Sequence, residues 1–233
     1  MKTVVVIPTY NERENIGPLL DEIVKIQENI EVLVVDDDSP DGTWRIVEDY
    51  SKKNPRIHLL RRTSERGRGL AGIAGFKYAL ENKADYVIEM DGDLSHDPQH
   101  IPEFLKKIEN CDVVIGSRFA PSGGEVGRGF LRRLITRLAA IYVRALLGFR
   151  VTDPTSGYRC YRGKVLEAID MRSLKAKDPF LLSEMLFRCY KKSFRIKEIP
   201  IIFRDRKSGT SKIGWKILIT YLFKVIKLRV RGK

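Results

Sequence analysis

Residues 2–9 (KTVVVIPT) are a continuous β-branched run that stops at Pro8, the pattern of a strand buried on both faces of a parallel sheet. Over residues 15–25, Ile16, Leu19, Leu20, Ile23 and Val24 recur at helical spacing and mark one apolar face. The alternation then repeats. Strands are predicted at 31–35 (EVLVV), 57–60, 86–90 (YVIEM) and 113–116, and helices at 44–50, 72–80 and 101–108. This β-α order over the first 115 residues predicts an α/β domain with a mostly parallel sheet; no fixed-period repeat points to a solenoid.

The texture changes after Arg118. Pro121, Ser122, Gly123 and Gly124, followed by Gly127 and Gly129, predict a flexible loop. A long helix is predicted over 131–147, where Arg132, Arg133, Arg137 and Arg144 are interleaved with Leu, Ile, Ala and Tyr. A turn at 153–157 (DPTSG), a helix at 180–191, a strand-like run at 196–203 (IKEIPIIF) and a basic loop at 204–211 follow. Residues 215–230 carry a broad apolar face bordered by Lys216, Lys224, Lys227 and Arg229. That composition suits an interfacial amphipathic helix and equally a helix packed on its own domain.

Three polar clusters lie just beyond predicted strands: Pro8 to Glu12 (PTYNE), Asp36 to Asp38, and Asp91-Gly92-Asp93. In open α/β sheets the carboxyl ends of the strands form the ligand crevice. Carboxylates gathered there repel one another unless a cation or a hydrogen-bonding ligand compensates them. Two Asp flanking a residue with no side chain let a divalent ion and a diphosphate approach the backbone, and such hard oxygen ligands favour Mg²⁺ or Mn²⁺. His96 and His100 stand nearby on a polar loop and are expected to be solvated. The glycines of GRGLAGIAG do not follow the dinucleotide-binding spacing, and there is no P-loop.

Charge is divided unevenly. Residues 1–115 hold 15 Lys+Arg and 22 Asp+Glu, a net −7, whereas residues 116–233 hold 28 and 8, a net +20, which together give the overall +13. The second half therefore suits a polyanionic or phosphorylated partner. Nucleic acid is not expected, because there is no helix-turn-helix or RNP signature and the basic residues sit among apolar faces. No apolar run reaches the roughly 18–20 residues of a bilayer span. From the strand-like start no signal peptide is expected. Three well-separated cysteines suggest neither a zinc site nor a disulfide framework.

The stretches VVVIPTYNERENI, VVDDDSPDGT, RRTSERGRGLAGIAGFKYA, EMDGDLSHDP, IGSRF, DPTSGYRCYR and RDRKSGTSK occur in this order over residues 2–230. Together they resemble the family 2 glycosyltransferases and, more narrowly, the dolichol-phosphate (polyprenol-phosphate) mannose synthases. The resemblance implies an A-type glycosyltransferase fold, Rossmann-like, with a mostly parallel central sheet flanked by helices and with C-terminal amphipathic interface helices. It implies a catalytic domain over 1–212, including an acceptor loop and amphipathic helix at 118–150, and a membrane-associating helix at 213–233.

By position, the resemblance assigns the nucleotide-sugar site to Pro8, Tyr10, Glu12, Val35, Asp37, Asp91, Gly92 and Asp93, with Arg206 and Lys212 on a loop that closes over it. The metal, Mg²⁺ or Mn²⁺, falls to Asp93 with Asp91 beside it, and Ser95 stands where some members place Gln as a further ligand. Gly92 replaces the commoner Ala, a change expected to be silent. Arg118, Arg132 and Thr136 match the acceptor-phosphate site, with Asp93, Arg118 and Arg132 as the catalytic set. The implied reaction is inverting transfer of mannose from GDP-mannose to dolichyl or polyprenyl phosphate at the cytoplasmic face of a membrane; UDP-glucose is the alternative nucleotide sugar. An anionic membrane surface is the implied partner, and some members also rely on a small membrane subunit.

Overall fold

The computed structural model describes residues 1–174, 178, 180–205 and 215–231, with the backbone alone at 215–219. The first half runs β1 (Thr3–Thr9), α1 (Arg13–Ile23), β2 (Ile30–Asp36), α2 (Thr43–Lys53), β3 (Ile57–Arg61), α3 (Arg68–Glu81), β4 (Tyr86–Glu89), α4 (Ile101–Ile108) and β5 (Val113–Ser117). The second half adds β6 (Gly124–Val126), α5 (Phe130–Leu147), β7 (Arg159–Arg162), α6 (Gly163–Ala168), α7 (Phe180–Lys191), β8 (Ile196–Pro200), β9 (Ile202–Arg204) and α8 (Trp215–Arg231). Seven strands form one sheet in the order β3-β2-β1-β4-β7-β5-β8, parallel except where β7 runs against β4 and β5. The predicted α/β class and mostly parallel sheet are therefore observed.

Every residue of β1 is buried because both faces of the sheet are covered. Val4 and Val6 join Leu33, Val35 and Val87 against Phe76 of α3 and Leu181 and Met185 of α7. Val5 and Ile7 join Val32, Val34 and Ile88 against Leu19 and Leu20 of α1 and Phe104 of α4. Each such side chain contributes about 1.5–3 kcal/mol when fully buried. The glycines of α3 belong to this packing: a Cβ at Gly75 would stand 2.2 Å from Val6 Cγ1. The small side lets the helix lie close on β1.

The structure corrects several boundaries. The run expected at 196–203 is two strands in different sheets, because Ile201 redirects the ladder: its N–H donates to Ser117 O at 3.0 Å and its carbonyl accepts from Gly124 N at 3.0 Å. β9 then pairs in parallel with β6, inside the segment expected to be a flexible loop. β7 (RCYR) and α6 have no counterpart in the sequence pattern. Arg159 interrupts the apolar signal yet is fully buried, since its guanidinium donates to the carbonyls of Ser156, Leu182 and Pro154 at 2.8, 2.6 and 2.7 Å.

α5 and α8 pack together at one end. Tyr142 donates to Leu222 O at 3.1 Å, Tyr221 and Ser183 share a 2.6 Å hydrogen bond, and Val225 is buried with the main core. Their other sides leave Phe130, Leu131, Leu134, Leu138 and Ile141 of α5 and Phe223, Ile226 and Val230 of α8 exposed. Among the described residues no helix is long and apolar enough to cross a membrane. The boundary expected at 212 lies outside them.

Candidate active site

The three acidic strand ends do converge, and each finds different compensation. Asp36, fully buried at the end of β2, accepts from the Thr9 hydroxyl at 2.7 Å and from the Ser39 N–H and hydroxyl at 2.8 and 2.6 Å. It ties β1 to β2. Asp37 accepts from Arg62 Nη1 at 2.7 Å and from the Gly67 N–H at 2.6 Å. Burial raises its pKa, opposed by the Gly67 hydrogen bond and the Arg62 charge. Asp38 pairs with Arg61 and, at 3.4 Å, with Arg66, whose guanidinium stands 5.6 Å from the Tyr10 ring centre.

Arg68 opens α3 between two carboxylates, donating to Glu89 Oε1 at 2.6 Å and Asp91 Oδ1 at 2.9 Å. Burial works against its charge, and Glu89 and Asp91 more than offset that, holding its pKa above the ordinary value. The repulsion expected among the acids is thus met largely by Arg61, Arg62, Arg66 and Arg68. The sequence did contain a signal for them: an arginine cluster beginning at the end of a strand that neighbours the acidic β2.

At the Asp91-Gly92-Asp93 turn, Asp93 is 5% exposed and accepts from the Ser95 N–H at 3.1 Å. The buried Ser95 hydroxyl has no partner among the described residues. With the Asp91 and Asp93 carboxylates it offers oxygen donors, the chemistry that suits Mg²⁺ or Mn²⁺, while Asp91 Oδ1 is also bonded to Arg68. No three His, Cys, Asp or Glu side chains among the described residues form a metal cluster. The remainder of a shell would come from water and substrate phosphate, as is usual for Mg²⁺. A Cβ at Gly92 would stand 3.0 Å from Thr9 Cγ2, a tight approach that Ala accommodates if the Thr9 side chain shifts by a few tenths of an ångström.

His96 is also not the solvated residue expected. It is 2% exposed, stacked on Tyr158 with ring centres 4.9 Å apart, and its Nδ1 accepts from the Asp91 N–H at 3.1 Å. Burial pushes its pKa down, in keeping with a neutral ring.

The model for glycosyl transferase family 2 matches residues 4–170. The chain belongs to this family. Over 94% of the chain it is 39% identical to an undecaprenyl-phosphate mannosyltransferase of Micrococcus luteus, covering 90% of that protein. Over its whole length it is 36% identical to a polyprenol monophosphomannose synthase of Mycolicibacterium smegmatis, covering 88% of it. A dolichol-phosphate mannosyltransferase of Pyrococcus furiosus is 38% identical over 98% of the chain, which spans 64% of that protein. In fold the chain resembles glucosyl-3-phosphoglycerate synthase of Mycobacterium tuberculosis, solved with Mn²⁺, UDP and phosphoglyceric acid, with a TM-score of 0.71 at 18% identity over 99% of this chain and 78% of that one.

In this glycosyltransferase the residues matched to the acceptor side are arranged unequally. Arg118, just past β5, is nearly buried and bound to Asp153, with a further 2.8 Å hydrogen bond to Thr155. Asp153 is itself held by Glu198, which accepts from the N–H groups of Thr152 and Asp153 at 2.8 and 2.9 Å. Arg132, on the first turns of α5, has a half-exposed side chain and meets Asp205 at 3.3 Å; Thr136, one turn on, donates to Arg132 O at 2.8 Å. Pro8 and Val35 are buried in the walls, while Tyr10 is open to solvent and Glu12 accepts from Asn15 at 2.8 Å. Arg206 and Lys212 lie outside the described residues. Asp153 and Glu198 were missed because each acts through a residue distant in sequence, and His96 because the rings that bury it, Tyr158 and Phe203, are distant.

Proposed function

We propose that this glycosyltransferase moves mannose from GDP-mannose to a polyprenyl phosphate such as dolichyl phosphate, inverting the anomeric centre. The observation that carries the reading is on α5. The cation Arg132 shares a helix with the exposed Phe130, Leu131, Leu134, Leu138 and Ile141, so a phosphate-binding group adjoins an apolar face suited to a lipid tail. The names of the Micrococcus, Mycolicibacterium and Pyrococcus relatives support the same acceptor and sugar.

Asp91 and Asp93, with Ser95 beside them, would hold Mg²⁺ or Mn²⁺, which supplies charge neutralisation to the leaving diphosphate. The acceptor phosphate is already anionic at neutral pH and needs no strong general base. One of its oxygens forms a bond to the anomeric carbon as the bond to the diphosphate oxygen breaks, and the nucleoside diphosphate leaves from the opposite side. Arg132 and Arg118 offset negative charge on the acceptor side, with Arg206 and Lys212 assigned to the nucleotide side, so that positioning and electrostatics carry the catalysis. The exposed faces of α5 and α8, bordered by Arg133, Arg137, Lys227 and Arg229, rest on the anionic cytoplasmic face of a membrane.

The test is incubation with Mg²⁺ or Mn²⁺, polyprenyl phosphate and labelled GDP-mannose or UDP-glucose. Label from GDP-mannose entering the lipid phase supports the reading. Label only from UDP-glucose transfers it to a glucosyltransferase, and none from either overturns it.

A further inference from the structure

We propose that His96 is a positioning residue that sets the main chain of the Asp91-Gly92-Asp93 turn and registers it against the second half of the chain. The proposal rests on the reading of that turn as the metal–diphosphate seat. The ladder between β4 and β7 ends at the Glu89–Arg159 pair, and the last bond from this stretch toward β1 is Met90 N–H to Val6 O at 3.1 Å. The next N–H, that of Asp91, has passed beyond both ladders. A donor left unpaired in this partly buried turn is costly. His96 Nδ1 takes it at 3.1 Å, which places the ring proton on Nε2, 4.0 Å from Asp91 Oδ2.

The ring is itself fixed from two directions. Tyr158 stacks on it at 4.9 Å and 17°, and the Tyr158 hydroxyl donates to Asp97 O at 3.1 Å, beside His96. Phe203 of β9 meets it edge-on at 5.8 Å, and the next residue, Arg204, donates its N–H to Ser95 O at 3.2 Å. The turn also holds Leu94 at φ 61°, a left-handed backbone that persists only where its surroundings over-determine it. Arg68 aims the Asp91 carboxylate while His96 fixes the Asp91 main chain. The direction of the Asp93 carboxylate follows from both.

The experiment compares His96→Phe, which keeps the stacked ring and removes the acceptor, with His96→Asn, whose amide oxygen falls near the Nδ1 position. Mn²⁺ binding in the presence of GDP is followed by electron paramagnetic resonance, and KM is measured separately for nucleotide sugar and for polyprenyl phosphate. His96→Phe is expected to weaken Mn²⁺ binding about 10- to 100-fold, the scale for losing a group that orients a metal ligand. The nucleotide-sugar KM rises with it while the lipid KM holds, and His96→Asn recovers most of the loss. Where circular dichroism shows His96→Phe misfolded, His96→Gln replaces it. That variant has the same amide with the oxygen near Nε2, and it is expected to bind Mn²⁺ more weakly than His96→Asn. Wild-type Mn²⁺ binding in the Phe variant, equal weakening in Phe and Asn, or equal binding in Gln and Asn overturns the positioning role. Failure of the wild-type protein to bind Mn²⁺ with GDP overturns the metal seat itself.

Discussion

Arg118 meets Asp153 at two points, Nε to Oδ2 at 2.7 Å and Nη2 to Oδ1 at 2.8 Å, and its main-chain N–H adds a third bond to Oδ2 at 3.1 Å. Two of the three side-chain nitrogens are thereby committed inside the protein. The third, Nη1, stands 3.7 Å from Glu125. Asp153 thus fixes the direction in which Arg118 presents its charge.

Asp153→Asn leaves that guanidinium buried without its paired carboxylate, Glu125 standing 3.7 Å from Nη1. The expected cost is about 3–5 kcal/mol in urea unfolding, with a loss of turnover at temperatures where the variant remains folded. The pair also shapes acid stability. Burial alone pushes the Asp153 carboxyl up, but the Arg118 charge and the hydrogen bonds from Arg118 and Thr155 bring it below its ordinary value. The unfolded chain therefore takes up this proton at higher pH than the folded one. Its stabilisation is complete above the ordinary carboxylate range and is lost as pH falls toward the lower folded value. Unfolding free energy measured against pH should show a shallower acid limb in Asp153→Asn than in the wild type.

Asp93→Ala should lower turnover about 10²- to 10³-fold, the scale for removing one electrostatic stabiliser, with the circular dichroism unchanged. Its side chain lies at a strand-end turn, outside both apolar cores, so the fold is expected to survive its loss. Full activity of the variant with metal present would remove Asp93 from the catalytic set.

The exposed face of α5 predicts separable apolar and charged contributions to membrane binding. Replacing Arg133 and Arg137 by Gln should weaken binding to anionic vesicles by about 1 kcal/mol each, roughly fivefold per residue, and the difference should shrink at high salt. Leu138→Glu with Ile141→Glu should weaken binding at every salt concentration. Vesicle co-sedimentation distinguishes the two.

Gly75→Ala tests the close approach of α3 to β1. The added methyl must displace Val6 and is expected to cost about 1–3 kcal/mol, read as a lower urea midpoint with the specific activity of the folded fraction retained. An unchanged midpoint would mean that the helix shifts freely.

The first half was legible because its strands are apolar runs that end directly in chemistry: VVVIPT before Tyr10, EVLVV before Asp36, YVIEM before Asp91. β7 was not, since a buried arginine satisfied by three carbonyls looks like a surface residue in sequence. The same limit hid His96. Its burial depends on Tyr158 and Phe203, and local polarity around it carries no trace of them. Asp153 looked like a turn residue because its turn is visible in DPTSG and its partner Arg118 is not.

β7 bonds to β4 on one side and β5 on the other, although both neighbours precede it in the chain. During synthesis, then, β4 and β5 have no shared ladder until residue 162 has emerged. A chain halted before that point can make the strands that carry the acidic residues, but not the sheet that joins them to Ser117 and Arg118. The step that inserts β7 also delivers Asp153 and Tyr158 to the crevice. The residues that then hold these groups, Glu198 on Asp153 and Phe203 on His96, lie later still, so the crevice closes only once β8 and β9 have joined the strands made first.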